Sequence, residues 1–288
     1  MKPLSTWLPF LNWPKLTPEL FKSEVSAGFI VALLMVPQSV AYAALAGMPL
    51  VTGLYAALLP ALVGVMWGGT LRLSTGPTAL TCVLISATLS GLAEPGSPLW
   101  VDMAIWLALM AGSLQLLMGA FKNGWLLNLI SSPVMTGFTQ AAGLLIITSQ
   151  LPTLTGWQGG TSFNVPELAF GLGSLLLLLM AKQWAPRWPS IMLVVAIMGL
   201  LSFLFHFADS GGAVIGALPS DLPRLIVPTW LDGSVLAQLL GPAVLIAFVS
   251  FLEAASSAKT ANQKAGTTWQ DNQDLMGQGL AKIASAFN

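Results

Sequence analysis

The sequence predicts an all-α polytopic membrane protein, on the basis of its low charge, its long apolar runs and the interruptions inside two of those runs. Of the 288 residues, 55% are hydrophobic and 8% are charged, whereas about 25% are charged in an ordinary soluble domain. A water-soluble surface cannot be built from this composition. Runs of about 18 apolar residues can cross a bilayer as helices, which satisfy their own backbone hydrogen bonds in lipid.

Eight apolar runs are expected to span the membrane, and a ninth segment begins near Asn272. Residues 1–22 form a leader before the first span, and residues 23–288 form the transmembrane domain. The eight spans cover residues 25–46, 50–68, 76–91, 99–120, 124–150, 165–184, 188–207 and 234–258.

The placement of basic residues predicts a cytoplasmic N-terminus in a multi-pass protein of the plasma (inner) membrane. If the spans alternate in direction, nine lysines and arginines fall on the cytoplasmic side, Arg224 falls outside, and Lys282 lies within the ninth segment. This is the positive-inside pattern. Tryptophans near the predicted helix ends, including Trp100 and Trp230, are expected to anchor the interface. The net charge is zero and so says nothing about a partner; for a chain of membrane spans we expect a surrounding lipid bilayer and no nucleic-acid partner.

The chain has one cysteine, Cys82, and one histidine, His206. Neither has a sequence context for a disulfide, a zinc site or a haem site. We therefore expect no metal, no cofactor and no enzymatic activity.

The first interruption is Pro37, in the middle of the first span. Proline cannot donate a backbone hydrogen bond and crowds the preceding turn, so the helix is expected to kink or unwind there. Gln38 and Tyr42 are four residues apart and would share one helix face. They are candidate site residues, although they could simply accompany a proline kink.

The second interruption is Gly76-Pro77, where the third span begins. Gly76 suits an N-cap and Pro77 a first helical position. A helix from there to Gly91 has 15 residues, or about 22 Å at about 1.5 Å per residue, which is too short to cross. The chain is therefore expected to enter in extended form and to place a helix N-terminus, a favourable anion site, inside the membrane. A full-length helix that tilts or thins the bilayer is the alternative.

One carboxylate, Glu253, lies within the eighth span. Ser250 and Ser257 recur with it at helical spacing, which predicts one polar face. Ionisable residues inside spans usually face a bundle interior or a cavity, so Glu253 is a candidate partner for a coupling proton or sodium ion. Alternatively it is a helix-end residue near the cytoplasmic interface, because Lys259 follows within two turns.

Several of these stretches together resemble the sulfate permease family of inorganic anion transporters. The similarity runs through most of the chain in the family's order and spacing. It is carried by VPQSVAYAALAGMPLVTGLYAALLPALVG, GTLRLSTGPTAL, SSPVMTGFTQAAGLLI, GALPSDLPRL, FLEAASSAK and DNQDLMGQGLAKIASAF.

The resemblance implies a transporter fold of two inverted seven-helix repeats. This chain would supply the first repeat, helix 8 and the start of helix 9, with core helices 1–4 and 8 and gate helices 5–7. The tenth half-helix, the rest of the second repeat and the C-terminal regulatory domain of many members would be absent. The resemblance also implies a homodimer when complete.

The resemblance further implies an anion site between facing half-helices. Gln38 and Tyr42 would occupy its first-helix positions, and Glu253 would occupy the eighth-helix acidic position as the cation-coupling residue. The third-helix part would comprise Ser74, Thr75, Gly76, Thr78 and Ala79.

The expected function is secondary active transport of a sulfate-like or bicarbonate-like anion by alternating access, coupled to protons or sodium. One alternative is a nucleobase carrier of similar fold. Another is a truncated, non-transporting membrane subunit.

Overall fold

The computed structural model describes residues 8–71, 73–129, 132–157, 164–184, 190–212, 214 and 225–287. Most of the segment GALPSDLPRL, and Lys2, Arg72, Arg187 and Arg224 of the charge pattern, lie outside these residues. Secondary structure within the described ranges is helical. The α-helices are α1 (Pro18–Leu45), α2 (Leu50–Ala56), α3 (Leu59–Trp67), α4 (Ala79–Leu89), α5 (Pro98–Ala120), α6 (Ser132–Thr155), α7 (Val165–Trp184), α8 (Ser190–Leu204), α9 (Gly233–Lys264) and α10 (Asp271–Ser285).

Five stretches of the described chain are both long enough and apolar enough to cross a membrane. Shorter apolar helices occur at Ala79–Leu89, Gly143–Thr155 and Ser190–Leu204. The five stretches are Pro18–Leu45, Leu50–Trp67, Pro98–Ala120, Val165–Trp184 and Gly233–Lys264. The predicted fold class of an all-α polytopic protein is confirmed.

The first span is longer and more regular than the sequence suggested. It begins at Pro18, where the Thr17 hydroxyl accepts a hydrogen bond from the Leu20 N–H at 3.2 Å. The helix then continues through Pro37 to Leu45 without unwinding. Loss of one backbone hydrogen bond at Pro37 is tolerated because the flanking turns remain intact.

The second and fifth spans are less regular than predicted. The second is divided into α2 and α3 by a turn at Ala57-Leu58, and Pro60 lies in the first turn of α3. The fifth begins at Ser132 instead of residue 124, after a 3₁₀ helix at Asn123–Leu129. Pro60 could have indicated the break between α2 and α3, because Pro is favoured in the first turn of a helix.

The core consists of α5 packed against α9, with α10 packed against α3 and α5. The contact between α5 and α10 is close because Gly112 faces Gly279. A β-carbon on Gly112 would lie 2.8 Å from the Gly279 carbonyl oxygen. Small residues permit such backbone approach between membrane helices.

Trp100 is not the interface anchor that its position near a helix end predicted. It is 0% exposed, and its indole N–H donates to the Ala46 carbonyl at 3.0 Å. The indole thereby satisfies an orphan carbonyl beyond the C-terminal turn of α1. Trp230, by contrast, is 81% exposed, as an interface residue would be.

The chain divides into two compact units, and the division falls between Pro37 and Gln38, inside α1. The first unit comprises the described residues of Met1–Leu16, Gln38–Ala142 and Pro219–Asn288. The second comprises those of Thr17–Pro37 and Gly143–Leu218. In the second unit Phe170 stacks on Phe207 with ring centroids 4.1 Å apart. The candidate site described next lies wholly within the first unit.

Candidate functional site

A cavity of about 410 Å³ lies in the first unit. Its walls come from the end of α1, from α2 and α4, from α5, α9 and α10, and from the extended segment 73–78. Most of the lining is apolar. Its polar side chains are Tyr42, Thr52, Ser74, Thr75, Thr78, Thr81, Ser250, Glu253, Ser257, Gln278, Lys282 and Ser285.

The N-terminus of α4 opens into this cavity. Residues 73–78 are not helical, and the 11-residue helix begins at Ala79 with Thr78 as its N-cap. The predicted extended approach is therefore present, but the predicted helix start at Gly76-Pro77 is wrong by two residues. The cause is the Thr78 hydroxyl, which accepts from the Thr81 N–H at 3.4 Å, whereas Gly76 has no side chain with which to cap a helix.

The cap hydroxyl also links α4 to α9. The Thr78 Oγ1 donates to Glu253 Oε2 at 2.7 Å, and it lies 3.0 Å from the Thr81 hydroxyl. The structure thus brings together two sequence-predicted site residues that are 175 positions apart. Glu253 is half-buried, so this contact is partly shielded from solvent.

Ala79 and Leu80, the first two residues of α4, lie between Thr78 and Thr81, which line the cavity, but are not part of the lining themselves. Ala79 and Leu80 are 8% and 4% exposed, and within the described part of the chain their N–H groups have no hydrogen-bond acceptor. The helix dipole adds partial positive charge at this end. Buried N–H groups and a positive dipole together favour an anion.

The extended segment that leads to α4 is held close to α3. Ser74, Thr75 and Gly76 all line the cavity, as expected. Gly64 makes room for Thr75, because a β-carbon on Gly64 would lie 2.6 Å from Thr75 Cβ. A larger residue at position 64 would displace the segment that carries the helix start.

The two candidates on α1 differ in position. Tyr42 lines the cavity, whereas Gln38 is exposed and does not. They lie on one face, as the spacing predicted, and Gln38 Nε2 donates to the Tyr42 hydroxyl at 2.6 Å. Gln38 can therefore orient Tyr42.

The polar face predicted on α9 lies along one wall of the cavity. Ser250, Glu253 and Ser257 all contribute to the lining. Ser250 is also tied to α5, since its hydroxyl accepts from Gln115 Nε2 at 2.9 Å. Glu253 is therefore a cavity residue and not a residue exposed at a helix end.

Sequence reasoning missed the contribution of α10. Gln278, Lys282 and Ser285 line the cavity, and among the described residues Lys282 and Glu253 are the only charged ones in the lining. The signal that could have indicated this contribution was Lys282, a lysine inside a predicted membrane segment. Over the described ranges no group of three or more His, Cys, Asp or Glu residues could hold a metal ion.

A buried polar network fixes the chain just before the extended segment. The Asp274 carboxylate accepts hydrogen bonds from the Gly69 N–H and from the Trp269 indole. Asn262 Nδ2 donates to the Thr70 hydroxyl at 3.1 Å, and Gln273 Nε2 donates to the Trp67 carbonyl at 2.7 Å. These bonds join the end of α3 to α9 and to the start of α10, and so restrain the approach to the site.

Comparison with protein families gives a match to the model described as the sulfate permease family, over residues 21–288. A probable sulfate transporter of Arabidopsis thaliana is 30% identical over 98% of this chain and 44% of its own length. A probable sulfate transporter of Mycobacterium tuberculosis is 31% identical over 92% of this chain and 50% of its own length. The chain thus spans about half the length of the curated relatives it matches.

Among solved structures, the murine Solute Carrier 26 family member A9 anion transporter, in its inward-facing state, has the same fold. It superposes with a TM-score of 0.85 over 99% of this chain and 53% of that chain. The sequence identity is 21%. This likeness establishes the fold alone.

Proposed function

The chain belongs to the sulfate permease family, and on that premise we propose that it supplies the first half of a secondary transporter for an inorganic anion, either sulfate-like or bicarbonate-like. Anion transport by a multi-pass helical membrane protein is the activity that the family assigns, and the family is one of transporters and not of enzymes.

The start of α4 is the observation that carries the proposal. Its Ala79 and Leu80 N–H groups are buried and have no acceptor among the described residues, and the cavity lined by the neighbouring Thr78 and Thr81, about 410 Å³, is large enough for a small oxyanion. Ser74 and Thr75 offer hydroxyls in the same lining, and Tyr42 offers a phenol; Thr78 also lines the cavity, but its hydroxyl proton is donated to Glu253. Gly76 also lines the cavity, and Gln38 donates a hydrogen bond to Tyr42 from outside it.

Glu253 provides the reason for coupling to a cation. It is bonded to the N-cap residue of α4, so an anion at that helix end would lie close to a second negative charge. Two unit charges about 4 Å apart repel by about 4 kcal/mol at an effective dielectric constant of 20. Entry of a proton or sodium ion at Glu253 would remove most of this repulsion, so anion and cation would favour each other's binding equally.

We further propose that transport proceeds by alternating access, with α4 and α9 in the core and the fifth, sixth and seventh spans in the gate. The complete protein would be a homodimer in the plasma (inner) membrane with a cytoplasmic N-terminus. The positive-inside pattern supports this orientation, since Lys15, Lys22, Lys122, Lys182 and Lys259 fall on one side.

Uptake into proteoliposomes tests the proposal. The full gene product that contains this chain would be supplied with labelled sulfate, bicarbonate or a dicarboxylate, with and without gradients of protons and sodium. Saturable uptake of at least one anion, stimulated by one cation gradient, is expected. Glu253→Gln should abolish the cation stimulation, while Glu19→Gln, in the exposed first turn of α1, should leave it intact.

The same assay examines the nucleobase alternative. Uracil and xanthine should leave anion uptake unchanged if the start of α4 binds oxyanions. Competition by either base, together with absence of anion uptake, would contradict the proposed function.

A further inference from the structure

Two polar residues of α10 enter the cavity without a role in the function proposed above. Gln278 and Lys282 are four residues apart, so they lie on the same helix face, and both line the cavity. Their surroundings point to a ligand that is not part of the described chain.

Gln278 has a buried donor without an acceptor. The residue is 6% exposed, and its Nε2 is the one buried side-chain nitrogen or oxygen of the described residues that has no hydrogen-bond partner. An amide left unsatisfied in this way costs about 1–3 kcal/mol. An acceptor delivered into the cavity would recover that free energy.

The Lys282 ammonium has N–H donors that are not used within the described residues. Its ammonium donates to Gln115 Oε1 at 2.9 Å, and no carboxylate oxygen of the described residues lies within 4.0 Å of it. An ammonium has three donors, so two remain available. Glu253 lies close enough to interact with Lys282 electrostatically without forming an ion pair.

Gln115 fixes the position of the ammonium. Its Nε2 is committed to the Ala247 carbonyl at 2.8 Å and to Ser250 Oγ at 2.9 Å. The amide oxygen can therefore only point toward Lys282. Gln115 is 0% exposed, so packing holds it in that orientation.

We propose that Lys282 and Gln278 are anion ligands, which bind the transported anion from the α10 side of the cavity while the α4 N-terminus binds it from another. This inference rests on the proposed function and extends it to a helix and two residues that the function did not require. Among the described residues of the lining, the opposite charges of Glu253 and Lys282 offset each other. A monovalent anion would then leave one excess negative charge, which one coupling cation offsets.

Equilibrium binding of labelled sulfate and bicarbonate to the purified full gene product tests the inference. Lys282→Met should raise the Kd about tenfold to a hundredfold, the range expected for loss of one hydrogen bond to a charged group. Lys282→Arg should stay within about fivefold of the parent protein. Lys264→Met, an exposed lysine at the end of α9, is the matched control and should leave the Kd unchanged.

The Gln278→Met variant tests whether the Gln278 amide binds the anion or instead pairs with another part of the protein. Because the amide has no partner, its removal should leave the melting temperature unchanged or raised, while the Kd rises about fivefold to tenfold. A lower melting temperature with an unchanged Kd would mean that Gln278 pairs with another part of the protein, and would overturn its assignment.

Two further variants exclude indirect effects of Lys282. If Lys282 only compensates Glu253, adding Glu253→Gln to Lys282→Met should restore the Kd, and that result would overturn the inference. Gln115→Leu removes the anchor of the ammonium and should raise the Kd by less than Lys282→Met does, because the ammonium itself is retained; a raised Kd in Gln115→Leu together with an unchanged Kd in Lys282→Met would overturn the inference. Should the parent protein bind no anion, the proposed function itself fails; should parent and Lys282→Met bind equally, only this inference fails.

Discussion

Substitution of Thr78 by valine removes the hydroxyl that joins α4 to α9 and keeps the shape of the side chain. The hydroxyl donates to Glu253 Oε2 at 2.7 Å, accepts from the Thr81 N–H over a long 3.4 Å, and lies 3.0 Å from the Thr81 hydroxyl. A hydrogen bond to a charged group contributes about 1.5–3 kcal/mol. An N-cap hydrogen bond contributes about 0.5–2 kcal/mol to the free energy of unfolding. Because the distance from Thr78 Oγ1 to the Thr81 nitrogen is long, we take a value near the lower end of that range.

The free energy of unfolding should therefore fall by about 2–3.5 kcal/mol in Thr78→Val. For a domain of this size that corresponds to a fall in melting temperature of roughly 5 °C or more. Thermal unfolding of the purified protein in detergent, followed by tryptophan fluorescence, measures the change. Thr78→Ser keeps the hydroxyl and should recover most of the loss.

Thr260→Val is the matched control. Thr260 lies on α9 and is exposed, and its hydroxyl bonds only the Ser256 carbonyl of its own helix. Its replacement should change stability by less than about 0.5 kcal/mol. The account would be refuted if Thr78→Val were as stable as the parent, or if Thr78→Val and Glu253→Gln were additive, because residues in direct contact should show a coupling energy.

Three other substitutions examine the supports of the site. Gly64→Ala should reduce the yield of folded protein and weaken anion binding, because the new methyl group overlaps Thr75; Gly199→Ala, with no atom within 4 Å of the added carbon, should do neither in size-exclusion and binding assays. Asp274→Asn should lower the free energy of unfolding by about 1–3 kcal/mol, since the amide cannot accept from both the Gly69 N–H and the Trp269 indole as the carboxylate does; a melting temperature equal to that of the parent would contradict this. Trp100→Phe should cost about 1–3 kcal/mol in the same unfolding assay, because the Ala46 carbonyl loses its buried donor, whereas Trp230→Phe, 81% exposed, should have little effect.

The sequence predicted those features of the site that depend on local chain geometry. A third span too short to cross, with Gly76-Pro77 at its start, predicted the extended approach and the buried helix end. The spacing of Gln38 and Tyr42 predicted their shared face, and that of Ser250, Glu253 and Ser257 predicted their common wall. Each of these follows from helix periodicity or proline chemistry within a few residues.

Features that depend on distant contacts could not be predicted in this way. The helix begins at Ala79 because the Thr78 hydroxyl caps it and is held by Glu253, a partner that no local pattern identifies. Lys282 meets Gln115 across 167 positions, so its place in the cavity depends on how α10 packs against α5. Trp100 is buried for a similar reason, since its partner, Ala46, belongs to another helix.

The central claim is that an anion binds at the start of α4, beside Glu253 and the cavity face of α10. The most direct measurement is a crystal structure of the full gene product soaked with selenate or bromide, which locates the anion by its anomalous scattering. We predict a peak within hydrogen-bond distance of the Ala79 and Leu80 N–H groups, with Lys282 as a further neighbour. Anomalous peaks found only elsewhere in the protein, with none at the start of α4, would contradict the account.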